Sequence, residues 1–137
     1  RGPFTLMAGA TYTKAKITQD LLEPTLTGKV PRHQPDWTLT ATGSADLGRA
    51  TIGASVVTIT KSFAQDSNLL VMPGFTTVDL FAQVKLFKGG SLALNVNNAF
   101  DTLGVFEVNQ ASVPPNGIGF ARAANGRTIS GSLRFDF

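Results

Sequence analysis

The 137-residue sequence has no cysteine, which excludes disulfide staples, thiolate nucleophiles and cysteine-ligated metals. Charged residues are scarce at 15%, against about 25% in ordinary soluble domains. No apolar run approaches the roughly 18–20 residues of a membrane helix. The net charge of +3 is scattered, and without a basic stripe nucleic acid is a poor partner. His33 is the only histidine and lies between Pro31 and Pro35. A metal site needs several converging ligands, so His33 reads as a loop residue and no metal or cofactor is expected. The acids are dispersed, so no serine–histidine–acid set forms, and no glycine-rich loop leads from a strand into a helix. An enzyme is not expected.

What the sequence does have is alternation. In Gly126 to Phe137, residues Ile129, Gly131, Leu133, Phe135 and Phe137 fall on one side, and Thr128, Ser130, Ser132, Arg134 and Asp136 on the other. A strict period of two predicts a strand with one apolar and one polar face. Termini of soluble proteins usually fray into water, so a chain stopping on a naked apolar strand is unusual. Five more strands are expected, at about 4–16, 36–46, 50–61, 75–87 and 91–100, with the closing one at 126–137. In the first, Phe4, Leu6, Ala8, Ala10 and Tyr12 oppose Thr5, Met7, Gly9, Thr11 and Thr13; in the fourth, Val78, Leu80, Ala82, Val84 and Leu86 oppose Thr77, Asp79, Phe81, Gln83 and Lys85. The pattern of the third blurs at Val57 and Ile59.

The connections alternate long, short, long, short, long: 17–35, 47–49, 62–74, 88–90 and 101–125. An up-and-down outer-membrane barrel has this rhythm, with long loops outside and short periplasmic turns. Such a barrel hides its apolar residues at alternate positions, so a mean hydropathy of +0.09 is compatible with a membrane. Aromatics near strand ends, Phe4, Tyr12, Trp37, Phe135 and Phe137, suit two interfacial girdles. The expected class is all-β: an antiparallel up-and-down transmembrane β-barrel. The alternative is a soluble antiparallel sandwich, which would have shorter strands and more lysine and glutamate on its polar face. Six strands cannot close a membrane barrel, and an open edge in lipid costs several kcal/mol per unpaired group. The chain is therefore expected to pair with strands outside it, as a piece of a longer mature chain or one half of a split one.

Three segments carry a resemblance: GKVPRHQPDWTLT (28–40), PGFTTVDLFAQVKLFKGGSLALNVNNAFD (73–101) and GRTISGSLRFDF (126–137). In this order they resemble the TonB-dependent outer-membrane receptors. One departure is Ala99, where the family usually has leucine before the Phe100–Asp101 pair. The resemblance implies the last six strands of a barrel of about 22 strands in the bacterial outer membrane, with the plug domain and its TonB-contacting segment absent from this chain. It implies active uptake of a scarce nutrient, a ferric siderophore before a carbohydrate or vitamin. A plugless porin or an autotransporter-type barrel is the rival within membrane barrels. Implied partners are the rest of the barrel and the plug, TonB, outer-membrane lipid, a small chelate or sugar, and the barrel assembly machinery, which would read Leu133, Phe135 and Phe137.

In or beside the last long loop lie the candidate ligand contacts Phe106, Glu107, Asn109, Gln110, Phe120, Arg122 and Arg127. Aromatics with arginines suit an anionic aromatic chelate by stacking plus charge. Asp79 and Lys85 share a face and would form either a pathway pair or a structural network. Asp101 is expected to cap a turn. Asn95, Asn97 and Asn98 would line a sugar path or hydrogen-bond between strands and to a plug.

Overall fold

The computed structural model describes residues 2–108 and 119–136. The strands are β1 (Phe4–Tyr12), β2 (Trp37–Asp46), β3 (Ala50–Ile59), β4 (Ser62–Phe63), β5 (Val71–Met72), β6 (Phe75–Phe87), β7 (Gly90–Asn97), β8 (Val105–Val108), β9 (Ala121–Ala123) and β10 (Thr128–Phe135). A single 3-10 turn, Pro24–Leu26, interrupts the first loop. Six strands form one antiparallel meander in the order β1-β2-β3-β6-β7-β10, and β4-β5 and β8-β9 are small hairpins within the second and third long connections.

Register carries the alternation across the whole sheet. Leu6 pairs with Gly43, Gly43 with Ala54, Ala54 with Leu80, Leu80 with Val96 and Val96 with Ile129. That row is apolar from edge to edge. One residue along, Met7, Thr42, Ser55 and Asp79 form a row on the opposite face. Thr42 and Ser55 hydroxyls bond at 2.8 Å there. The sheet thus has one apolar and one largely polar face. Among the described residues no second sheet covers either, so the sandwich alternative fails. Phe4, Leu6, Leu80, Leu94, Ile129 and Leu133 stay exposed. The chain exposes 9845 Å², against about 6,800 Å² for a folded monomer of this mass.

Several strands are shorter than the alternation predicts. β1 ends at Tyr12 rather than at 16. Thr13 still donates to the Asp36 carbonyl at 2.9 Å, but the next position in register is Pro35, which has no N–H to donate, and backbone pairing resumes only where Ile17 meets Gly28 and Lys29. β3 stops at Ile59 rather than 61, where Thr60 turns its N–H and hydroxyl onto the Trp37 carbonyl. β7 stops at Asn97 rather than 100 because Asn98 enters the left-handed region at φ +48°. β10 begins at Thr128 rather than 126, and Phe137 lies outside the described residues.

The short turns lie at one end and the long connections at the other. Asp46 accepts a hydrogen bond from Gly48 N–H at 2.8 Å, and Gly48 and Gly89 sit at φ +81° and +82°, where L side chains are strained. A bulge between Lys85 and Phe87 shifts the β6–β7 register. It places Phe87 beside Phe135, rings stacked 6.1 Å apart, with Phe87 lying over Gly90.

Candidate functional site at the long-loop end

Each long connection is tied down by side chains reaching far along the sequence. Asn68, at φ +60°, accepts from Val30 N–H at 2.9 Å and donates to the Val30 carbonyl at 2.7 Å. One amide thereby imitates a strand partner and fixes the first loop to the second. Arg32 N–H donates to Asp66 at 2.8 Å, and His33 N–H to the Phe63 carbonyl at 2.7 Å. His33 is therefore held by its backbone, and its imidazole Nε2 is buried without a partner. Among the described residues no three metal-ligating side chains converge.

The third connection contains the sequence-predicted contacts. β8 and β9 pair Glu107 with Arg122, with a bulge at Phe106 between the Val105 and Glu107 pairings. Arg122 approaches Glu107 at 3.9 Å, both side chains well exposed. Glu107, Phe120, Ala121 and Arg122 line an open pocket of about 250 Å³. Phe106 is not part of it. Its ring meets Phe75 edge-on with centroids 5.0 Å apart, and the Phe75 ring lies where a Gly104 side chain would be. Arg127 stands apart as well: its guanidinium donates to the Ala99 carbonyl at 3.4 Å and its N–H to Asp101 at 2.8 Å. Asn109 and Gln110 lie outside the described residues. The structure thus brings Phe120, Arg122 and Glu107 together and turns Phe106 and Arg127 to other partners.

The polar residues of the sheet have separate jobs. Asp79 accepts from Asn98 N–H at 2.8 Å, and Lys85 donates to the Gly48 carbonyl at 3.3 Å. About 20 Å of strand separates them at about 3.3 Å per residue, so they are not a pair. Asp101 caps the backbone of Arg127 across the loop rather than its own turn. Asn97 donates to the Thr128 hydroxyl at 3.1 Å, an inter-strand bond. Sequence reasoning missed Phe75 and Asn68. The glycines beside the aromatic pair, Gly74 and Gly104, were the available signal of close approach.

The apolar face carries aromatics near both ends of the strands. Tyr12 and Trp37 are directly opposed across β1–β2, with centroids 4.7 Å apart, at the long-loop end. Phe4, Phe87 and Phe135 lie toward the short turns.

Solved structures share this arrangement over nearly the whole chain. The siderophore receptor PiuA from Acinetobacter baumannii matches 97% of it with TM-score 0.82 at 21% identity. The ferric yersiniabactin uptake receptor FyuA from Yersinia pestis matches 98% with TM-score 0.80 at 16% identity. The ferric-catecholate import receptor Fiu from E. coli K12 matches 98% with TM-score 0.77 at 18% identity. This is the fold of a sector of a receptor β-barrel. The chain spans only about a fifth of those proteins: 19% of PiuA, 21% of FyuA and 19% of Fiu. No family profile and no curated protein matches the sequence.

Proposed function

We propose that this chain is the C-terminal barrel sector of a TonB-dependent outer-membrane receptor that takes up a ferric siderophore. The observation that carries the reading is the six-stranded meander, apolar on one face and polar on the other, whose whole length follows the siderophore receptors. The apolar face is the lipid face. From Phe4 to Tyr12 the chain advances about 26 Å at about 3.3 Å per residue. Tilted as barrel strands are, β1 covers most of an apolar band about 25 Å tall. Phe4, Phe87 and Phe135 form the periplasmic girdle, and Tyr12 and Trp37 the outer one. The polar face looks into the lumen, toward the plug. The two open edges and the large exposed area fit a sector whose neighbours are the remaining strands of a barrel of about 22. Leu133, Phe135 and Phe137 serve as the signal for the assembly machinery.

The role is wall and vestibule rather than catalysis. Phe120 and Arg122 offer an aromatic face and a cation to an anionic aromatic iron chelate, with Asn109 and Gln110 as further loop contacts. Energy for transport comes through TonB and the plug. The test is uptake of radioiron on a tris-catecholate siderophore by receptor-deficient cells given the complete polypeptide. Uptake that vanishes on deletion of TonB is expected. Iron entry that persists without TonB, or TonB-dependent entry of a sugar or vitamin but not iron, defeats the siderophore reading.

A further inference from the structure

The third long connection leaves β7 at Asn98 and returns to β10 at Thr128. Its two feet are joined by the side chains of Asn98, Asp101 and Arg127, of which Asn98 is the buried one. Asn98 is 5% exposed, and its carboxamide nitrogen donates to the carbonyls of Thr102 and Asn125, each at 3.0 Å. Its carboxamide oxygen accepts from Thr102 N–H at 2.9 Å. Its backbone N–H is held by Asp79 on β6, and its carbonyl accepts from Asp101 N–H at 2.9 Å. Around it, Ala99 N–H reaches the Val78 carbonyl at 2.7 Å, and Ala124 N–H the Gly104 carbonyl at 2.7 Å. Asp101 takes the Arg127 N–H at 2.8 Å, and the Arg127 guanidinium returns to the Ala99 carbonyl. A buried amide with both donors and its acceptor engaged fixes a unique geometry, because any rotation strands a buried polar group.

We infer that Asn98 is the positioning residue of this loop: its carboxamide closes the neck, and the neck determines where the Glu107–Phe120–Arg122 pocket stands. The part concerning ligand affinity rests on the proposed function; the part concerning the neck does not. The φ of +48° is one that asparagine and aspartate both tolerate. Asn98→Asp therefore keeps the backbone and shape while turning the amide donor into an acceptor facing two carbonyls.

The experiment uses the complete polypeptide in outer membranes. Trypsin cleavage after Arg127, which is locked in the neck, is expected to be about tenfold faster in Asn98→Asp, because buried acceptors lose their donor. Heat-modifiable gel mobility should stay that of an assembled barrel. The half-saturating concentration for tris-catecholate iron should rise severalfold with the maximal rate unchanged. Thr42→Ala, which loses one bond to Ser55 in the middle of the sheet, should match wild type in all three. Wild-type cleavage of an assembled Asn98→Asp barrel overturns the proposal. If that variant fails to assemble, hydrogen exchange in the wild type decides: the Thr102 and Arg127 amides must exchange far more slowly than those of an open loop, and fast exchange overturns it. Faster cleavage with unchanged uptake leaves the neck standing and removes the pocket from the ligand path.

Discussion

The two ends of the sheet are held by different means. At the short-turn end the backbone does most of the holding, and the exposed side chains of Asp46, Lys85 and Arg49 add bonds to backbone groups there. Gly48 and Gly89 take positive φ values, Asp136 N–H closes on the Gly89 carbonyl at 2.7 Å, and the side chains there are exposed. At the long-loop end side chains do the holding. The buried side chains Ala64, Gln65, Met72 and Asn98 are all there, as are the amides of Asn68 and Asn98 that bridge distant segments. Short turns need little beyond their own backbone geometry. Long connections cannot, because ordering each residue costs about 1–2 kcal/mol, and only specific long-range bonds offset that cost while water remains close.

The comparison is broken most severely at a short turn. Gly89→Val puts a branched side chain at φ +82° with its Cβ 2.5 Å from the Asp136 carbonyl oxygen. We expect a loss of about 3 kcal/mol or more and a large drop in assembled barrel. Wild-type levels of heat-modifiable protein would show that backbone conformation does not govern this end.

A smaller and more local effect is expected at the other end. Asn68→Ala removes both bonds to Val30 and leaves alanine at φ +60°. About 2 kcal/mol of local stability should be lost, which is about 30-fold faster exchange at the Val30 amide. The barrel itself should assemble normally. Global loss of assembly would mean that the loops and the wall are one cooperative unit rather than two.

The same division explains what the sequence made legible. β6 runs from Phe75 to Phe87, and its long uninterrupted alternation announced it, as did the short turns at Gly48 and Gly89. The bulge that brings Phe87 to Phe135 was hidden, because one extra residue in a ladder leaves no mark in an alternating pattern. The polar Thr58–Thr76 pair, 2.9 Å apart, joins β3 and β6 at their loop ends, and Val57 and Ile59 alternate with it. The blurred stretch of β3 is thus where the apolar face runs out. At the candidate site, residue types named Phe106, Glu107, Phe120, Arg122 and Arg127 together, but could not say that Glu107, Phe120 and Arg122 share a pocket while Phe106 and Arg127 turn to other partners. Nothing local distinguishes Arg127, which turns to Ala99, from Arg122, which faces the pocket. Asn68 was unreadable as a tie, and Asn98, expected to line a sugar path or to hydrogen-bond between strands or to a plug, instead turns its amide onto the loop carbonyls of Thr102 and Asn125, for the same reason: the partners of a loop amide are set by tertiary return of the chain, not by its neighbours.

The smallest effect on stability is expected at the pocket itself, and it sharpens the comparison further. Arg122 and Glu107 approach at 3.9 Å with side chains 75% and 43% exposed, and such pairs contribute about 0–1 kcal/mol. Arg122→Ala should therefore leave assembly and Arg127 cleavage unchanged. If the pocket meets the anionic chelate, the lost cation should raise the half-saturating concentration of tris-catecholate iron severalfold, and high salt should narrow the gap between variant and wild type. Charge reversal of the partner, Glu107→Lys, should lower that concentration, since it removes the carboxylate that competes with the ligand for the guanidinium. Opposite responses to the two substitutions, on an unchanged barrel, would identify an electrostatic contact. Equal uptake in both variants would leave the pair as surface charge on a solvated loop and move the search to the first two loops, where Asn68 holds the chain in place.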